Sequence, residues 1–338
     1  MLPCRMSSKF AKCFLIKIKK QQTRMADFIA AVDMGTNSFH LIVAKIKNDF
    51  SSFKIVDKEK KQIRLASHMG EDLSFISNEE LESSIEILNG FKKISSLYNA
   101  GLNARATSAV READNRAEYV RQIYKSTGIY VQTIEGHEEA ALIFKGVRHG
   151  LKLNDEKLLN VDIGGGSTEY TLGNKSVFEF AESIKIGAVR LSKRFFNEFY
   201  IIDDNVKACL KYIEEQIKSS SIKTDCSFDI ASGSSGTIQA AARLIIAQNN
   251  KPQPKDLNNF IFSYDELKNI AQLILSKKSV EDRLLLEGLE KRRADIMPAG
   301  ILILLKTFEL LHIKNMKVSS YALREGIILD ELDKLKAV

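Results

Sequence analysis

Apolar positions along this chain fall into short runs, some with period two and some with a helical period. FIAAVD (28–33) and SFHLIVAKI (38–46) flank a glycine turn and predict a β-hairpin, with a further strand around 53–57. Leu81, Ile85, Leu88 and Ile94 form the apolar stripe of a helix over about 78–98, and Ser77 with Glu80 supplies its capping box. Strand 102–108 leads to helix 114–126, which Gly128 ends, and strand 129–134 leads to helix 137–148. The pattern then restarts with strand KLLNVDI (157–163), a triple-glycine turn, strand 167–172, a Gly173-Asn174 turn and strand 175–186. Helices 187–198 and 204–219, strand 227–231 and helix 237–247 follow. A polar segment, 248–259, holds two of the four prolines and reads as a surface loop. The remainder predicts helices 264–276 (Ser263 and Glu266 as a second capping box), 280–290 and 297–311, strand 314–319, and helix 321–336. Strands alternating with helices predict layered α/β architecture.

One internal comparison sharpens this. Residues 32–38 read Val-Asp-Met-Gly-Thr-Asn-Ser and residues 161–167 read Val-Asp-Ile-Gly-Gly-Gly-Ser, an offset of 129. Each heptad ends an apolar strand and opens a hairpin, which predicts a duplicated half.

Length and composition bound the class. The 338 residues suffice for two domains, and 44% hydrophobic with 28% charged residues is a globular balance. No apolar run approaches the ~20 residues that span a bilayer, so no integral membrane segment is expected. The net charge of +7 is misleading. Arg5, Lys9, Lys12, Lys17, Lys19, Lys20 and Arg24 put all of it in residues 1–24, and the rest carries 43 basic and 43 acidic residues. That balance gives no reason to expect a nucleic-acid partner. The leader 1–24 reads as a basic tail that is disordered, or not translated if Met25 is the initiator, with a weak membrane-surface segment as a third reading. Cys4, Cys13, Cys209 and Cys226 lack metal-type spacing and read as free thiols of a reducing cytoplasm.

Candidate chemistry gathers at the small-residue turns. In both heptads an Asp (Asp33, Asp162) ends a buried strand and glycines follow, so backbone amides can approach an anion and the Asp can hold a hydrated Mg²⁺ beside it. A third turn, Gly233-Ser234-Ser235-Gly236-Thr237, joins a strand to a helix start, which offers free amides to phosphate. It is not a P-loop, because no Gly-Lys-Ser/Thr follows. Glu138 and Glu139 open a helix, and adjacent helical residues diverge by about 100°, so one of the two can face a cleft. Glu169 lies seven residues after Asp162 on the strand leaving the second turn. Together with Asp162 and one of Glu138/Glu139, it can surround a water for attack on a phosphoryl group, with Arg111 as the cation.

At these residues the sequence resembles the exopolyphosphatase/guanosine pentaphosphatase (Ppx/GppA) family, in its short form without a C-terminal HD-like region. The motifs that carry the resemblance run in order: AVDMGTNSFHLIV (31–43), ATSAVREADN (106–115), GHEEAALIFKGV (136–147), VDIGGGSTE (161–169), IGAVRLSKRF (186–195), GSSGT (233–237) and ALREGIILD (322–330). The resemblance implies two actin-like (ribonuclease H-like) domains of the acetate and sugar kinase/actin superfamily, with the active site between them. It places residues 25–149 plus 321–338 in domain I and 150–320 in domain II. It implies Glu139 as the catalytic glutamate that activates water, and Asp162 and Glu169 as the acidic residues that organise metal and water. It implies phosphate loops at Gly35, Thr36, Asn37 and Ser38, at Gly164, Gly165, Gly166, Ser167 and Thr168, and at Ser235, Gly236 and Thr237, with Arg111 as a phosphate-contacting arginine. Asp33, Asp162 and Glu169 are then the metal candidates, with Mg²⁺ as cofactor and Mn²⁺ as the alternative. His137 occupies a variable place in its motif and is assigned no role.

The expected activity is release of terminal orthophosphate from polyphosphate, or from guanosine pentaphosphate, by a cytoplasmic enzyme, with a homodimer as an option. The rivals are a phosphotransferase or ATPase of the same fold and a non-catalytic sensor of such polyanions. The Glu139/Arg111 pair argues against the first, and the intact acidic set argues against the second.

Overall fold

The computed structural model describes residues 27–65, 74–175, 177–196 and 200–337. The basic leader, Cys4 and Cys13 lie outside the described residues.

The first sheet grows from the hairpin. β1 (Phe28–Met34) and β2 (Ser38–Ile46) pair antiparallel, and β3 (Phe53–Gln62) adds to β2. β4 (Gly101–Ala106) and β5 (Val131–Thr133) run parallel to β1, giving the order β3-β2-β1-β4-β5. The second sheet repeats the scheme. β6 (Leu158–Ile163), β7 (Thr168–Gly173) and β8 (Phe178–Ile184) form the antiparallel meander, and β9 (Ile230–Ser234) lies parallel to β6. β11 (Asn315–Val318) lies parallel to β9, with β10 (Ile261–Ser263) antiparallel at the edge. Leaving β10 aside, the second sheet reads β8-β7-β6-β9-β11, the same order and senses as the first. The register repeats too: Asp33 faces His40 across β1–β2, and Asp162 faces Glu169 across β6–β7.

The helices are α1 (Asn78–Leu97), α2 (Ser108–Glu112), α3 (Arg116–Thr127), α4 (Gly136–Leu151), α5 (Ala188–Phe195), α6 (Asp203–Lys218), α7 (Gly236–Gln248), α8 (Tyr264–Ser276), α9 (Val280–Leu284), α10 (Met297–Leu310) and α11 (Leu323–Lys336). Both expected capping boxes form, Ser77 with Glu80 and Ser263 with Glu266, and Gly128 caps α3 in the left-handed region.

Several stretches differ from expectation, among them β10, which was not expected, and strand 227–231, which forms at Ile230–Ser234. β3 extends to Gln62, because pairing with β2 satisfies the backbone of a charged stretch that lacks strand periodicity. Strand 102–108 ends at Ala106, and Ser108–Glu112 turns into the short helix α2. Helix 280–290 stops at Leu284 and a 3₁₀ turn follows at Lys291–Arg293, with the intervening chain folded over buried Arg283, whose guanidinium donates to the carbonyls of Ala294, Lys277 and Lys278.

The apolar core has three parts. One lies behind the second sheet, against α6, α7, α8 and α10, and one behind the first, against α1 and α3. The third lies between the sheets. Ala31, Ile42, Ile143 and Val147 meet Leu158 of the second sheet, and Leu323, Ile327 and Ile328 of α11 complete it. α11 packs backbone-close on α4: a Cβ on Gly326 would sit 1.9 Å from the Leu142 carbonyl oxygen, and one on Gly146 2.2 Å from that of Ala322. This crossing brings the start of α11 to the cleft between the sheets.

Candidate active site

The two glycine turns meet at the mouth of that cleft, whose volume is about 900 Å³. They close alike, with Gly35 N–H donating to the Ser38 carbonyl at 3.3 Å and Gly164 N–H to that of Ser167 at 2.9 Å. They also lie against each other: a Cβ on Gly165 would be 3.0 Å from Thr36 Cβ, and one on Gly166 2.9 Å from Thr36 Oγ1. Only glycine permits that approach. Gly35, Thr36, Asn37 and Ser38 line the cleft from one side, and Gly164, Gly165, Gly166 and Ser167 from the other. Thr168 does not line it. Its neighbours Ser167 and Glu169 share one strand face, so Thr168 points to the other, where its hydroxyl donates to the Ile186 carbonyl. Its hydroxyl is therefore not one of the groups facing the cleft.

The third turn closes the base of the cleft. Ser235, Gly236 and Thr237 line it at the start of α7, where the first amides of a helix are unbonded by the helix itself. Ser235 holds φ 94° and ψ 164°, a region that is nearly glycine-only, and its Oγ is buried without a partner. Local strain and an orphaned hydroxyl at one residue mark a place shaped for something other than stability.

The carboxylates converge. Asp33 and Asp162 end their strands at the cleft, Glu169 faces Asp162, and Glu139 enters from the first turn of α4. The structure separates the two helix-start glutamates. Glu139 is 6% exposed and lines the cleft, whereas Glu138 sits beside Gln132, away from it, and His137 is exposed. Arg111 Nη1 donates to Glu139 Oε2 at 2.7 Å and to the Ile134 carbonyl at 3.1 Å, so Arg111 acts on the cleft through Glu139 rather than by lining it. Ser234 Oγ donates to Asp162 at 2.5 Å, while Ser167 and Ser183 donate to Glu169 at 2.6 and 2.7 Å.

This crowding shifts the acids. Burial raises Asp33 to about 7, with Asp162, Glu325 and Glu169 adding to it and Arg324 opposing. Burial raises Asp162 to about 6 against the Ser234 hydrogen bond and Arg324. Burial raises Glu139 to about 7 despite Arg111, and Asp33 and Asp162 contribute. Glu169 is pushed well above the carboxylate range by burial and then by Glu139 and Asp162. Such a set is short of positive charge, which suits a hard divalent cation. Among the described residues no three His, Cys, Asp or Glu side chains are close enough to chelate one together. The expected trio Asp33, Asp162 and Glu169 is thus not a preformed three-carboxylate site, and a hard cation such as Mg²⁺ would take one or two of them with water and phosphate oxygens.

Sequence reasoning missed the cations that line the cleft with the acids. Lys60 on β3, Arg292 and Arg293 after α9, and Arg324 at the start of α11 all line it. Arg293 packs on the α7 start so closely that a Cβ on Gly236 would lie 1.5 Å from its Nη2. Burial, and after it repulsion from Arg293, Arg292 and Arg324, holds Lys60 down to about 8. His40 was missed as well. It lines the cleft, its Nε2 is 2.8 Å from Ser38 Oγ, and burial followed by Arg324 and Lys60 holds it well below its usual value. The 129-residue offset could have found it, since it maps Ser38 and His40 onto Ser167 and Glu169. Arg324 lies within the quoted motif ALREGIILD, whereas no sequence signal points to Arg292 or Arg293.

Comparison with known proteins follows the same lines. The Ppx/GppA phosphatase family matches residues 42–335. The chain is 30% identical over 317 residues to a guanosine-5'-triphosphate,3'-diphosphate pyrophosphatase of Vibrio parahaemolyticus, covering 93% of this chain and 61% of that protein. It is 29% identical over 318 residues to the Aliivibrio fischeri protein of the same name, with 94% and 61% covered. The chain thus spans 61% of the length of these curated relatives. Among solved structures, an exopolyphosphatase from Cytophaga hutchinsonii is 29% identical with a TM-score of 0.82, over 91% of this chain and 98% of that one. An Aquifex aeolicus member of the Ppx/GppA family is 27% identical with a TM-score of 0.76, also over 91% and 98%. The expected actin-like α/β fold is the fold observed.

Proposed function

The chain belongs to the Ppx/GppA phosphatase family, and from that premise we propose that it removes the terminal phosphate of inorganic polyphosphate by attack of a water that Glu139 activates. The observation that carries this reading is the convergence of both glycine turns and the α7 start on one cleft with the Glu139–Arg111 pair. We read the chain as two units, 25–149 with 321–338 and 150–320, and the cleft as the seam between them.

In this reading the terminal phosphoryl group rests on the amides of Thr36–Ser38 and Gly165–Ser167, with the α7 start beside it. Amides fixed before the substrate arrives stabilise phosphoryl charge without reorganising. Glu139, raised to about 7, holds or releases a proton near neutrality, which suits a general base. Arg111 fixes its carboxylate, and Asp162 and Glu169 order the attacking water. Mg²⁺, with Mn²⁺ as the alternative, would be held by one or two of Asp33, Asp162 and Glu169 and would supply neutralisation of phosphate oxygens. Lys60, Arg293 and Arg324, which line the same cleft, offset the charge of the anionic substrate.

The second reading is guanosine pentaphosphate as substrate, favoured by the names of the Vibrio and Aliivibrio relatives. Both substrates end in a phosphoanhydride, and the turns grip only that end. Phosphate release measured with tripolyphosphate, long-chain polyphosphate, guanosine pentaphosphate and ATP at matched concentrations with Mg²⁺ tests both. Polyphosphate should turn over fastest. ATP as the sole substrate would replace the proposal with an ATPase or phosphotransferase.

A further inference from the structure

The second glycine turn is held from behind. Ala188 N–H donates to the Gly164 carbonyl at 2.9 Å, and Val189 and Arg190 N–H to that of Gly165 at 2.9 and 3.1 Å. Arg190 Nε donates to the Gly166 carbonyl at 2.8 Å. The start of α5 thus takes all three carbonyls, and the fit is close: a Cβ on Gly187 would lie 2.3 Å from the Gly165 oxygen. No peptide here is cis, and in a trans peptide the carbonyl and the following N–H point opposite ways. The amides of Gly165, Gly166 and Ser167 therefore face away from α5, and they donate to no backbone carbonyl among the described residues.

The far end of Arg190 reaches the other half of the molecule. Its Nη2 lies 2.9 Å from each oxygen of Glu112 on α2, which also accepts from Ser108 Oγ at 2.7 Å and meets Lys185 Nζ at 3.0 Å. Both partners are 8% exposed at the side chain. Burial pushes the Glu112 carboxyl up, yet Ser108, Arg190 and Lys185 hold it below its usual value, so it is an anion in place. Glu112 adjoins Arg111, which holds Glu139. A buried ion pair stabilises a fold weakly compared with an apolar pair of the same size. One that runs from a turn carbonyl in one half to the arginine-bearing helix of the other has a positional use.

We propose that Arg190 and Glu112 are a positioning pair: they aim the Ser167 amide at the phosphoryl group and keep it in register with Arg111 and Glu139 across the cleft. The inference rests on the phosphate-binding reading of the turn. Neither side chain touches the reacting atoms.

Arg190→Lys keeps the charge but loses Nε and the two-pronged fork. With tripolyphosphate, kcat should fall about 10–100-fold, since sub-ångström misplacement weighs on the chemical step, while KM stays within about threefold. Melting temperature should stay near that of the unaltered protein. A readout independent of turnover is available in protein labelled with ¹⁵N-glycine. The Gly165 and Gly166 amide resonances should respond to titrated inorganic pyrophosphate, and that response should weaken in Arg190→Lys. Glu112→Gln, which keeps the hydrogen-bonding shape without the charge, should repeat the kcat loss and serves if Arg190→Lys does not fold. Unchanged kcat together with an unchanged amide response would overturn the pairing, as would losses that only track a lowered melting temperature. If the unaltered protein releases phosphate from none of the four substrates, the proposed function fails, and the amide response alone then decides the positioning role.

Discussion

Glu139 is a buried carboxylate that touches an arginine and still has its proton affinity raised to about 7, because burial and the acids across the cleft outweigh Arg111. In its proposed role as a base it would act when deprotonated. kcat/KM should therefore rise about tenfold per pH unit below about 7 and level off above it. Because Glu139 and Glu169 are electrostatic neighbours, the apparent midpoint belongs to the pair. Glu139→Gln should lower kcat by about 10²–10⁴-fold and flatten the profile, whereas Glu138→Gln should leave it nearly intact. Near-normal turnover in Glu139→Gln would remove the assignment. The sequence offered both glutamates on spacing alone. Resemblance favoured Glu139, and of the two it is Glu139 that lines the cleft while Glu138 points toward Gln132.

At the scale of elements, the crossing of α4 and α11 decides what reaches the cleft. Gly146 and Gly326 let the two backbones touch, and α11 then presents Arg324 beside Asp33 and Asp162. Gly326→Ala should force the helices apart. The expected cost is about 3 kcal/mol, at the upper end for overpacking, read as a lower urea midpoint with unchanged slope. Activity should fall with it, as Arg324 retreats. A stability loss below about 0.5 kcal/mol would mean that the crossing relaxes freely. Gly326 lies in a quoted motif, ALREGIILD, yet its reason is the Leu142 carbonyl, 184 positions earlier in the chain. Helix ends were easier to read: both Ser/Glu capping boxes and the Gly128 cap depend on residues a few positions apart.

At the scale of the whole molecule, two copies of one sheet plan face each other and place their acids together. That arrangement has a pH signature. A carboxyl whose folded pKa is raised holds its proton more tightly folded than unfolded. Its stabilising contribution is present below about pH 4 and is lost as the pH rises through the folded value. Asp33, Asp162 and Glu139, at about 7, 6 and 7, should make the metal-free protein less heat-stable between about pH 5 and pH 7.5. Mg²⁺ should raise the melting temperature more at the higher pH, where it no longer competes with protons. Equal melting temperatures with and without Mg²⁺ at pH 7.5, about half a unit above the Glu139 and Asp33 values, would remove the cation from the reading.

By itself the sequence determined what rests on neighbours in the chain: most strands and helices, their caps, and the three small-residue turns. Through the heptad repeated 129 residues apart, it also determined the duplication. Only the tertiary structure decided which side chains meet. It chose Glu139's face, turned Thr168 away, gathered Lys60, Arg293 and Arg324, and tied Arg190 to Glu112 across 78 positions. The reason is physical: backbone periodicity is a local property, whereas burial, charge pairing and close backbone contact depend on segments that the chain brings together only when both sheets have formed.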